Sequence, residues 1–382
     1  MNVIIFFPTS VDPMFGGVER MSHTLASMLE MYHHKVFFVC WRKTSEIEGV
    51  FYLPNKEQID CVQNTNYLKS FCEDNKIQVF IDQGAVIASI PGVGMEVRKL
   101  GVKYVPVFHN SLFGMYGRSL ALPQKLFYKT AIRNFWYSKT VSNMLCYLFR
   151  CKYRKHYQLL RKNSDAIVLL SDKYREEIGF FCGTQQLPKI VSLPNPCAFT
   201  MNNEKYIKEK TIMFCGRLNK QKRPEFLLEI WNKLYAKYPD WNLIIVGDGE
   251  LRLALEEYVQ HYKLERVTFA GTCSPLPYYE KASIFALTSV YEGWCLVLFE
   301  AMNFGVVPVS FESFASVSDI ITDGKDGMIV KAFSVNEYVK TLEFLMNHPE
   351  MRNRMSEAGR SKLQNYTKET MASLWNKLLI EL

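Results

Sequence analysis

The sequence predicts an α/β protein with two Rossmann-like domains, because apolar strand segments alternate with amphipathic helices twice along the chain. Its 382 residues favour two domains over one. A β-α-β alternation is typical of a parallel sheet covered by helices. The two runs are separated by PNPC at 194–197, and such paired prolines indicate a linker. We therefore place the domain boundary near residue 196.

The first run contains short strands that are each followed by a loop or a helix. The strand NVIIFF at 2–7 precedes the segment VERMSHTLASMLEMY at 18–32, whose apolar residues recur at helical spacing. The further strand segments are KVFFVCW, IQVFIDQ, KYVPVFHN and DAIVLLSD. We expect residues 1–195 to form the N-terminal domain.

The second run restarts the same pattern after the linker. Its strand segments are TIMFCGR, WNLIIVGDG, VTFAG, ASIFAL and VVPVSF. We expect residues 196–360 to form the C-terminal domain and 361–382 to form a C-terminal helix that packs back on the N-terminal domain. Ligands of open α/β sheets bind at the carboxyl ends of the strands, so we expect the two domains to face a central cleft.

The positive charge of the chain is concentrated in one segment. The formal net charge is +8, and residues 97–164 hold 14 Lys or Arg but no Asp or Glu. Aromatic side chains lie among these cations, a combination that suits an anionic membrane surface. A basic surface over buried aromatics is the alternative, and no nucleic-acid-binding motif is present. The aromatic residues of the segment include Phe127, Tyr128, Phe135, Trp136, Tyr137, Tyr147, Phe149 and Tyr153.

Cysteine usage indicates a reducing compartment, and hydropathy indicates neither a signal peptide nor a membrane span. The ten cysteines show no metal-ligand spacing, so we expect free thiols and no metal site. The segment MNVIIFFP lacks the basic start of a signal peptide, and no apolar run reaches the length of a membrane span. We expect a cytoplasmic protein, or one that binds the inner face of a membrane peripherally.

The segment SVYEGWCLVLFEAM at 289–302 carries two carboxylates that we assign to ligand binding. Glu292 precedes a helix and can reach a sugar hydroxyl, whereas Glu300 lies two turns later and can accept hydrogen bonds from a ribose. Backbone N–H groups at the start of that helix can hold a diphosphate, and the residues concerned are Cys295, Leu296 and Val297. An ordinary amphipathic helix with solvated glutamates is the alternative.

Cations and glycines supply a second set of candidates. Arg217 and Lys222 follow a strand in CGRLNKQKRPE and can compensate a diphosphate charge, although a solvated basic turn would look similar. Gly16 and Gly17 follow the first strand, and Gly247 ends another, so the backbone can approach phosphate there. A simple turn is the alternative for the glycine pair, which lacks the full G-x-G-x-x-G of a dinucleotide site.

His109 ends the strand segment KYVPVFHN. A histidine at the carboxyl end of a strand can contact a substrate or accept a proton. A purely structural histidine is the alternative interpretation.

Together these motifs resemble glycosyltransferase family 4, a retaining family of GT-B architecture. The resemblance covers nearly the whole chain and is strongest from Thr211 to Val330. It rests on GGVER, HN, PNP, FCGRLNKQKRPEFLLE, LIIVGDGELRLALE, VTFAGT, SVYEGWCLVLFEAM and SDIITDGKDGMIV.

The resemblance implies a role for each candidate residue. It places Arg217, Lys222 and the glycine pair at the donor diphosphate, and Glu292 at the transferred sugar. It places Glu300 at the nucleotide ribose and His109 near the reacting carbon.

The sequence departs from the family pattern at three places, and the last two put the identity of the donor in doubt rather than the fold. Trp294 and Cys295 replace the Phe and Gly of E-G-F-G, and Arg223–Pro224 stands where Lys-Gly is common. Residues 316–319, SVSD, replace a frequent glycine-proline-glutamate loop.

The resemblance implies transfer of a hexose from a nucleotide-diphosphate sugar, expected to be UDP-linked, without a cofactor or metal. The acceptor would be a glycan or a lipid-linked molecule of cell-surface polysaccharide or lipopolysaccharide synthesis, bound by the N-terminal domain. Two alternatives of the same fold remain: a non-catalytic nucleotide-binding scaffold and a UDP-sugar epimerase.

Overall fold

A computed structural model describes residues 1–13, 16–87, 90–118, 130–199, 204 and 206–382. The chain divides into two compact units. Unit 1 contains residues 1–112, 144–196 and 368–382, and unit 2 contains residues 113–143 and 197–367. Phe127 and Tyr128, which the sequence analysis placed among the aromatics of the basic segment, lie outside the described residues.

Unit 1 is built on a parallel sheet. Within the described residues it has seven strands, in the order β3-β2-β1-β4-β5-β6-β7. Strands β1, β4, β5 and β6 are buried almost throughout, because a parallel sheet is covered by helices on both faces. The strands are β1 Asn2–Phe7, β2 Lys35–Cys40, β3 Val50–Tyr52, β4 Val79–Asp82, β5 Lys103–Phe108, β6 Ala166–Leu169 and β7 Lys189–Ser192.

Helices of unit 1 cover this sheet, and the C-terminal helix is one of them. The buried residues of α15 include Met371, Trp375 and Leu379, and the helix packs against α1. His34 Nε2 and Asn376 Oδ1 lie 2.9 Å apart beside that contact. These helices are α1 Gly17–Glu30, α2 Val62–Asp74, α3 Ile90–Arg98, α7 Arg175–Cys182 and α15 Lys368–Ile380.

Unit 2 is built on a second parallel sheet. The part of it that the structure describes has six strands, in the order β10-β9-β8-β11-β12-β13. Strand β8 therefore pairs with both β9 and β11, and their carboxyl ends lie side by side. The strands are β8 Thr211–Cys215, β9 Asn242–Val246, β10 Val267–Gly271, β11 Ile284–Leu287, β12 Val307–Phe311 and β13 Met328–Val330.

The helices of unit 2 include a short one from the middle of the chain. They are α5 Thr130–Trp136, α8 Pro224–Asn232, α9 Arg252–His261, α10 Leu276–Lys281, α11 Leu296–Asn303, α12 Val317–Ile320, α13 Val335–Asn347 and α14 Pro349–Leu363. Two further helices, α4 Leu112–Gly117 and α6 Lys139–Asn163, cross a sequence boundary between the units. Short 3₁₀ turns lie at Asp172–Tyr174 and Gln364–Tyr366.

Residues 113–143 group with unit 2, whereas the sequence analysis placed them in the N-terminal domain. The packing gives the reason. Arg133, only 3% exposed, forms an ion pair with Glu229 of α8, and the ring of Tyr137 lies 4.7 Å from that of Phe333. The segment thus follows a strand of unit 1 in sequence, but Arg133 and Tyr137 are buried in unit 2.

Among the residues that the structure describes, no helix is long and apolar enough to cross a membrane.

Candidate active site

Lys222 and Glu292 form an ion pair at the carboxyl edge of the unit 2 sheet. Lys222 lies in the loop after β8 and Glu292 in the loop after β11, and these strands are neighbours. The hydroxyl of Thr288 donates to the carbonyls of Lys222 and Arg223, which joins the two loops. Lys222 Nζ then lies 2.6 Å from Glu292 Oε1, with the side chains 18% and 8% exposed. Two residues that the sequence analysis selected separately are therefore in direct contact.

The charge state of this pair follows from its surroundings. Burial alone would lower the pKa of Lys222, but the nearby carboxylate of Glu292 outweighs it and holds that pKa above its usual value. The ammonium therefore stays protonated at neutral pH. A protonated lysine at this edge can serve a phosphate as a point charge.

Hydrogen bonds hold the backbone around Glu292. The amide of Val290 donates to the carbonyl of Gln221, 2.8 Å away, and Gln221 Nε2 donates to the carbonyl of Tyr291 at 3.1 Å. Gln221 was not singled out in the sequence, although it directly precedes Lys222. The loop after β8 therefore fixes both the charge partner of Glu292 and the backbone that carries it.

Glu300 is buried in the middle of α11 and accepts a hydrogen bond from a buried tyrosine. Tyr279 Oη donates to Glu300 Oε2 over 3.0 Å, and the two residues are 0% and 2% exposed. Burial, reinforced by the Glu300 carboxylate, raises the pKa of Tyr279 well above its usual value, so the hydroxyl keeps its proton and acts as the donor. Tyr279 lies in α10, 21 residues earlier, and no sequence pattern pointed to it.

The start of α11 carries the backbone amides that the sequence analysis assigned to phosphate. The helix begins at Leu296, directly after Cys295, and Val297 is its second residue. Cys295 is buried, and burial raises the pKa of its thiol, so the side chain is a neutral, compact group. Ser316, one of the departures from the family pattern, donates from Oγ to the carbonyl of Gly293 at 2.6 Å.

Gly247 follows β9 where two chain segments pass closely. Its φ is +123°, and a Cβ at this position would lie 2.1 Å from the carbonyl oxygen of Gly216. Only glycine fits such a backbone and such an approach. The loop after β8 and the loop after β9 are thereby held together, and Arg217 lies between Gly216 and Leu218 as an exposed side chain.

Gly16, Gly17 and His109 belong to unit 1, at the carboxyl ends of its strands. Gly17 is the first residue of α1 and Gly16 precedes it with an extended backbone. His109 follows β5, and its Nε2 is hydrogen-bonded to Gln83 Oε1, which the sequence analysis missed although Gln83 directly follows β4. Burial lowers the pKa of His109 to about 4, so its imidazole is neutral at pH 7.

Asp82, at the end of β4, is a second titratable group of this edge that the sequence analysis did not select. Tyr104 Oη donates to its Oδ2 at 2.5 Å, and the amide of Gly84 donates to its Oδ1 at 2.7 Å. Burial raises the pKa of Asp82 to about 6, although both hydrogen bonds act in the opposite direction.

Comparison with known proteins shows that the chain is similar to glycosyltransferases. Residues 200–362 match the family model described as glycosyl transferases group 1. An uncharacterized glycosyltransferase of Haemophilus influenzae is 34% identical over 193 residues, which are 50% of this chain and 55% of the relative. The amylovoran biosynthesis glycosyltransferase AmsD of Erwinia amylovora is 32% identical over 176 residues, 45% of this chain and 48% of the relative.

A third relative acts on a lipid-linked glycan. It is the Campylobacter jejuni alpha-1,4-N-acetyl-D-galactosaminyltransferase named for a GalNAc-GalNAc-diNAcBac-PP-undecaprenol substrate, and it is 28% identical over 198 residues, 50% of this chain and 55% of the relative. The chain thus spans about half the length of the curated relatives that it matches.

Solved structures resemble the chain in fold. A sucrose-phosphate synthase from Thermosynechococcus elongatus matches with a TM-score of 0.77 and 16% identity, over 100% of this chain and 99% of its own. The Anabaena protein HepE, solved in complex with UDP, matches with a TM-score of 0.73 and 14% identity, over 100% of both chains. The family match and this likeness confirm the resemblance to glycosyltransferase family 4 and the GT-B fold with two Rossmann-like domains.

Proposed function

We propose that the protein is a glycosyltransferase that moves a hexose from a UDP-sugar to a glycan or lipid-linked acceptor in bacterial cell-surface polysaccharide synthesis. The observation that carries the proposal is the ion pair between Lys222 and Glu292, 2.6 Å apart at the adjoining ends of β8 and β11. A cation and a carboxylate held together in this way suit a ligand that combines a phosphate with sugar hydroxyls.

The donor diphosphate is the ligand of the cations. Lys222 is protonated, and Arg217 is exposed in the same loop. When the sugar C1–O bond breaks, negative charge grows on the departing diphosphate, and preorganised cations and helix N–H groups stabilise it. The amides of residues 295–297 at the start of α11 supply the latter. We assign Gly16, Gly17 and Gly247 to close approach of the backbone to the nucleotide-sugar.

The two glutamates bind two other parts of the donor, the transferred sugar and the ribose. Glu292 accepts hydrogen bonds from the hydroxyls of the transferred sugar, and Glu300 accepts them from the ribose. Because Tyr279 fixes one oxygen of Glu300, the carboxylate is held in one orientation before the nucleotide arrives. Such preorganisation lowers the entropy cost of binding.

The reaction proceeds with retention at the anomeric carbon. Attack by the acceptor hydroxyl occurs on the face from which the diphosphate leaves, and a phosphate oxygen takes the acceptor proton. His109 contributes a neutral imidazole, which can donate or accept a hydrogen bond without adding charge. Lys222 and Arg217 carry the role that a metal fills in other transferases, so the reaction needs no metal.

Relatives support the choice of donor and acceptor. HepE was solved with UDP, and the Campylobacter relative is named for an undecaprenol-linked substrate. A lipid-linked acceptor agrees with the acid-free segment 97–164. Its helix α6 exposes the apolar side chains of Met144, Tyr147 and Leu148, 56–59% accessible, beside exposed lysines and arginines. We assign this surface to an anionic membrane.

A donor panel tests the proposal. Purified protein is incubated with UDP-, GDP- and ADP-hexoses and a membrane extract, and free nucleotide, epimerised sugar and glycosylated lipid are measured with and without EDTA. We expect UDP release that depends on the extract and persists in EDTA. Epimer without transfer would identify an epimerase, and binding without turnover would identify a scaffold. Loss of activity in EDTA that Mg²⁺ or Mn²⁺ restores would overturn the metal-free mechanism.

Variants of the loop after β8 complete this test. We expect Arg217→Ala and Lys222→Ala to remain folded and to lose about 10²–10³ in rate, as for other preorganised charge contacts. Lys220→Ala is the matched control, because Lys220 is exposed in the same loop and has no assigned role. Near-normal turnover in both variants would remove the two cations from the site.

A further inference from the structure

Arg118 reaches the loop that carries Glu292 from a distant part of the sequence. It belongs to residues 113–143, which group with unit 2. Its Nη1 donates to the carbonyl of Val290 at 2.5 Å and also to the carbonyl of Ser313. Its guanidinium carbon lies 5.0 Å from the centroid of the Phe333 ring. One side chain thus joins the loops that follow β11 and β12.

The two carbonyls that Arg118 contacts lie on two loops whose backbones are also held by other hydrogen bonds. Ser313 Oγ donates to the carbonyl of Ser289 at 2.6 Å, and the amide of Val290 donates to Gln221. Arg118 adds a charged donor at the carbonyl of Val290, two residues before Glu292. Hydrogen bonds from a charged donor are about twice as strong as neutral ones.

We propose that Arg118 is a positioning residue for Glu292. It fixes the backbone of residues 289–292, so that Glu292 meets Lys222 and the bound sugar in one geometry. This inference rests on the proposed function, in which Glu292 contacts the transferred sugar. Arg118 itself contacts no substrate. Because a misplacement of about 1 Å at a reacting centre can cost about 10² in rate, loosening this loop slows transfer without removing any group that binds the nucleotide.

Arg133, a second arginine of the same segment, provides a comparison. It distinguishes the positioning of Glu292 from general packing of the segment in unit 2. Arg133 also packs into unit 2: its guanidinium carbon lies 5.1 Å from the Phe226 ring, and it pairs with Glu229. These two partners belong to α8, whereas Arg118 contacts the loop that carries Glu292. Both arginines therefore pack in unit 2, and the contact with Val290 in residues 289–292 is made by Arg118.

The test compares Arg118→Met, Arg118→Lys and Arg133→Met in the full chain. Hydrogen exchange is followed in peptides that cover residues 289–293, UDP affinity is measured by calorimetry, and turnover is measured with the active donor. We expect Arg118→Met to speed exchange in these peptides and to lower kcat about 10²-fold, with UDP affinity unchanged. Arg118→Lys keeps a cationic donor and should recover part of kcat. Arg133→Met should leave exchange in these peptides as in the wild type.

The outcomes separate this inference from the proposed function. Unchanged exchange at 289–293 in Arg118→Met overturns the inference whatever the activity, and so does faster exchange with normal kcat. If Arg118→Met and Arg133→Met change exchange and kcat equally, Arg118 only helps the segment to pack in unit 2, and the inference is also overturned. A wild type that turns over no donor overturns the proposed function, and the exchange comparison still decides whether Arg118 holds the loop.

Discussion

Lys222 and Glu292 neutralise each other's charge in the structure, and in the proposed site each binds a different part of the donor. In the proposed site the lysine serves the diphosphate and the glutamate serves the sugar, whereas Glu300 serves the ribose. We expect Glu292→Gln to keep or tighten UDP binding, because Lys222 loses its counter-charge, and to lower transfer. Glu300→Gln should weaken UDP binding. Calorimetry with UDP and single-turnover transfer measure the two effects, and an equal loss of UDP affinity in both variants would refute this division.

The hydroxyl of Tyr279 offers a finer test of Glu300. We expect Tyr279→Phe to weaken UDP binding by about 1 kcal/mol, roughly fivefold in Kd, because the carboxylate loses the bond that orients it. Tyr338→Phe is the control. Tyr338 is equally buried in unit 2 and donates to the carbonyl of Val309 at 2.7 Å, away from Glu300. If both variants weaken UDP equally, Tyr279 has only a general effect on stability.

The pKa values of two groups in unit 1 are shifted in opposite directions, which predicts that their contributions to stability depend on pH in opposite ways. His109 has its pKa lowered from 6.5 to about 4, so its contribution to stability is present above pH 6.5 and is lost as pH falls to about 4. Asp82 has its pKa raised from 3.8 to about 6, so its contribution is present below pH 3.8 and is lost as pH rises through about 6.

Urea unfolding at several pH values between 4 and 7 checks these two signs. We expect the free energy of unfolding of the wild type, minus that of His109→Gln, to increase with pH. The same difference for Asp82→Asn should decrease with pH. A difference that does not change with pH for either variant would mean that the group keeps an ordinary pKa in the folded protein.

At the scale of elements, the hydrophobic pattern of the sequence predicted the positions of the buried strands better than the structure of the segments between them. The strands β1, β8 and β11 are uninterrupted apolar runs because they are buried on both faces, and the sequence identified each of them. Strand β3 has three partly exposed or exposed residues, so it left no such run and was missed. The fold class is confirmed, whereas the roles of the site residues remain predictions.

What the sequence could not predict depends on contacts between distant residues. The helix α5 and Arg118 follow β5 in sequence, and nothing in their composition indicates that they pack in unit 2. The backbone of Arg223 could not be predicted either, although its contacts are local. It occupies a left-handed backbone with φ 46° just before α8, where glycine is usual, and a buried ion pair with Glu225 at 3.1 Å accompanies it.

The crossing at Gly247 gives a prediction about the loops that carry the site. Gly247→Ala combines a strained positive φ with a Cβ that would overlap the Gly216 carbonyl. Gly324→Ala is the matched control, because Gly324 has φ +72° but open space around its Cβ. We expect the control to lose about 1 kcal/mol and Gly247→Ala to lose about 1–3 kcal/mol more, together with UDP affinity. Equal unfolding midpoints would show that the close approach is relaxed in solution.

At the scale of the whole molecule, the cations of residues 97–164 that the structure describes include two distinct groups. Arg118 and Arg133 point into unit 2, Arg98 pairs with Asp165 at 3.0 Å, and Arg150 lies over the Phe180 ring. These side chains serve the fold. The cations of α6 at positions 152, 154, 155 and 162 are exposed, and they lie on the same helix as the exposed Tyr147 and Leu148.

Vesicle binding should therefore depend on the second group. Each cation near an anionic surface contributes about 1 kcal/mol, and salt screens this attraction, whereas inserted aromatic and aliphatic side chains resist salt. We expect the wild type to co-sediment with anionic liposomes at low salt and less at high salt. A fourfold serine variant of α6 should lose this binding and transfer to a lipid acceptor, yet keep donor hydrolysis. Its positions are Lys152, Arg154, Lys155 and Lys162.

The matched control removes the same charge elsewhere. Serine at four exposed basic positions outside α6 lowers the net charge equally, so a general electrostatic effect would weaken both variants alike, whereas a specific surface on α6 would spare the control. If the wild type does not co-sediment with anionic liposomes at low salt, the membrane role is excluded. An acceptor that is not presented from a membrane would then be favoured. The control positions are Lys56, Lys340, Arg354 and Lys377.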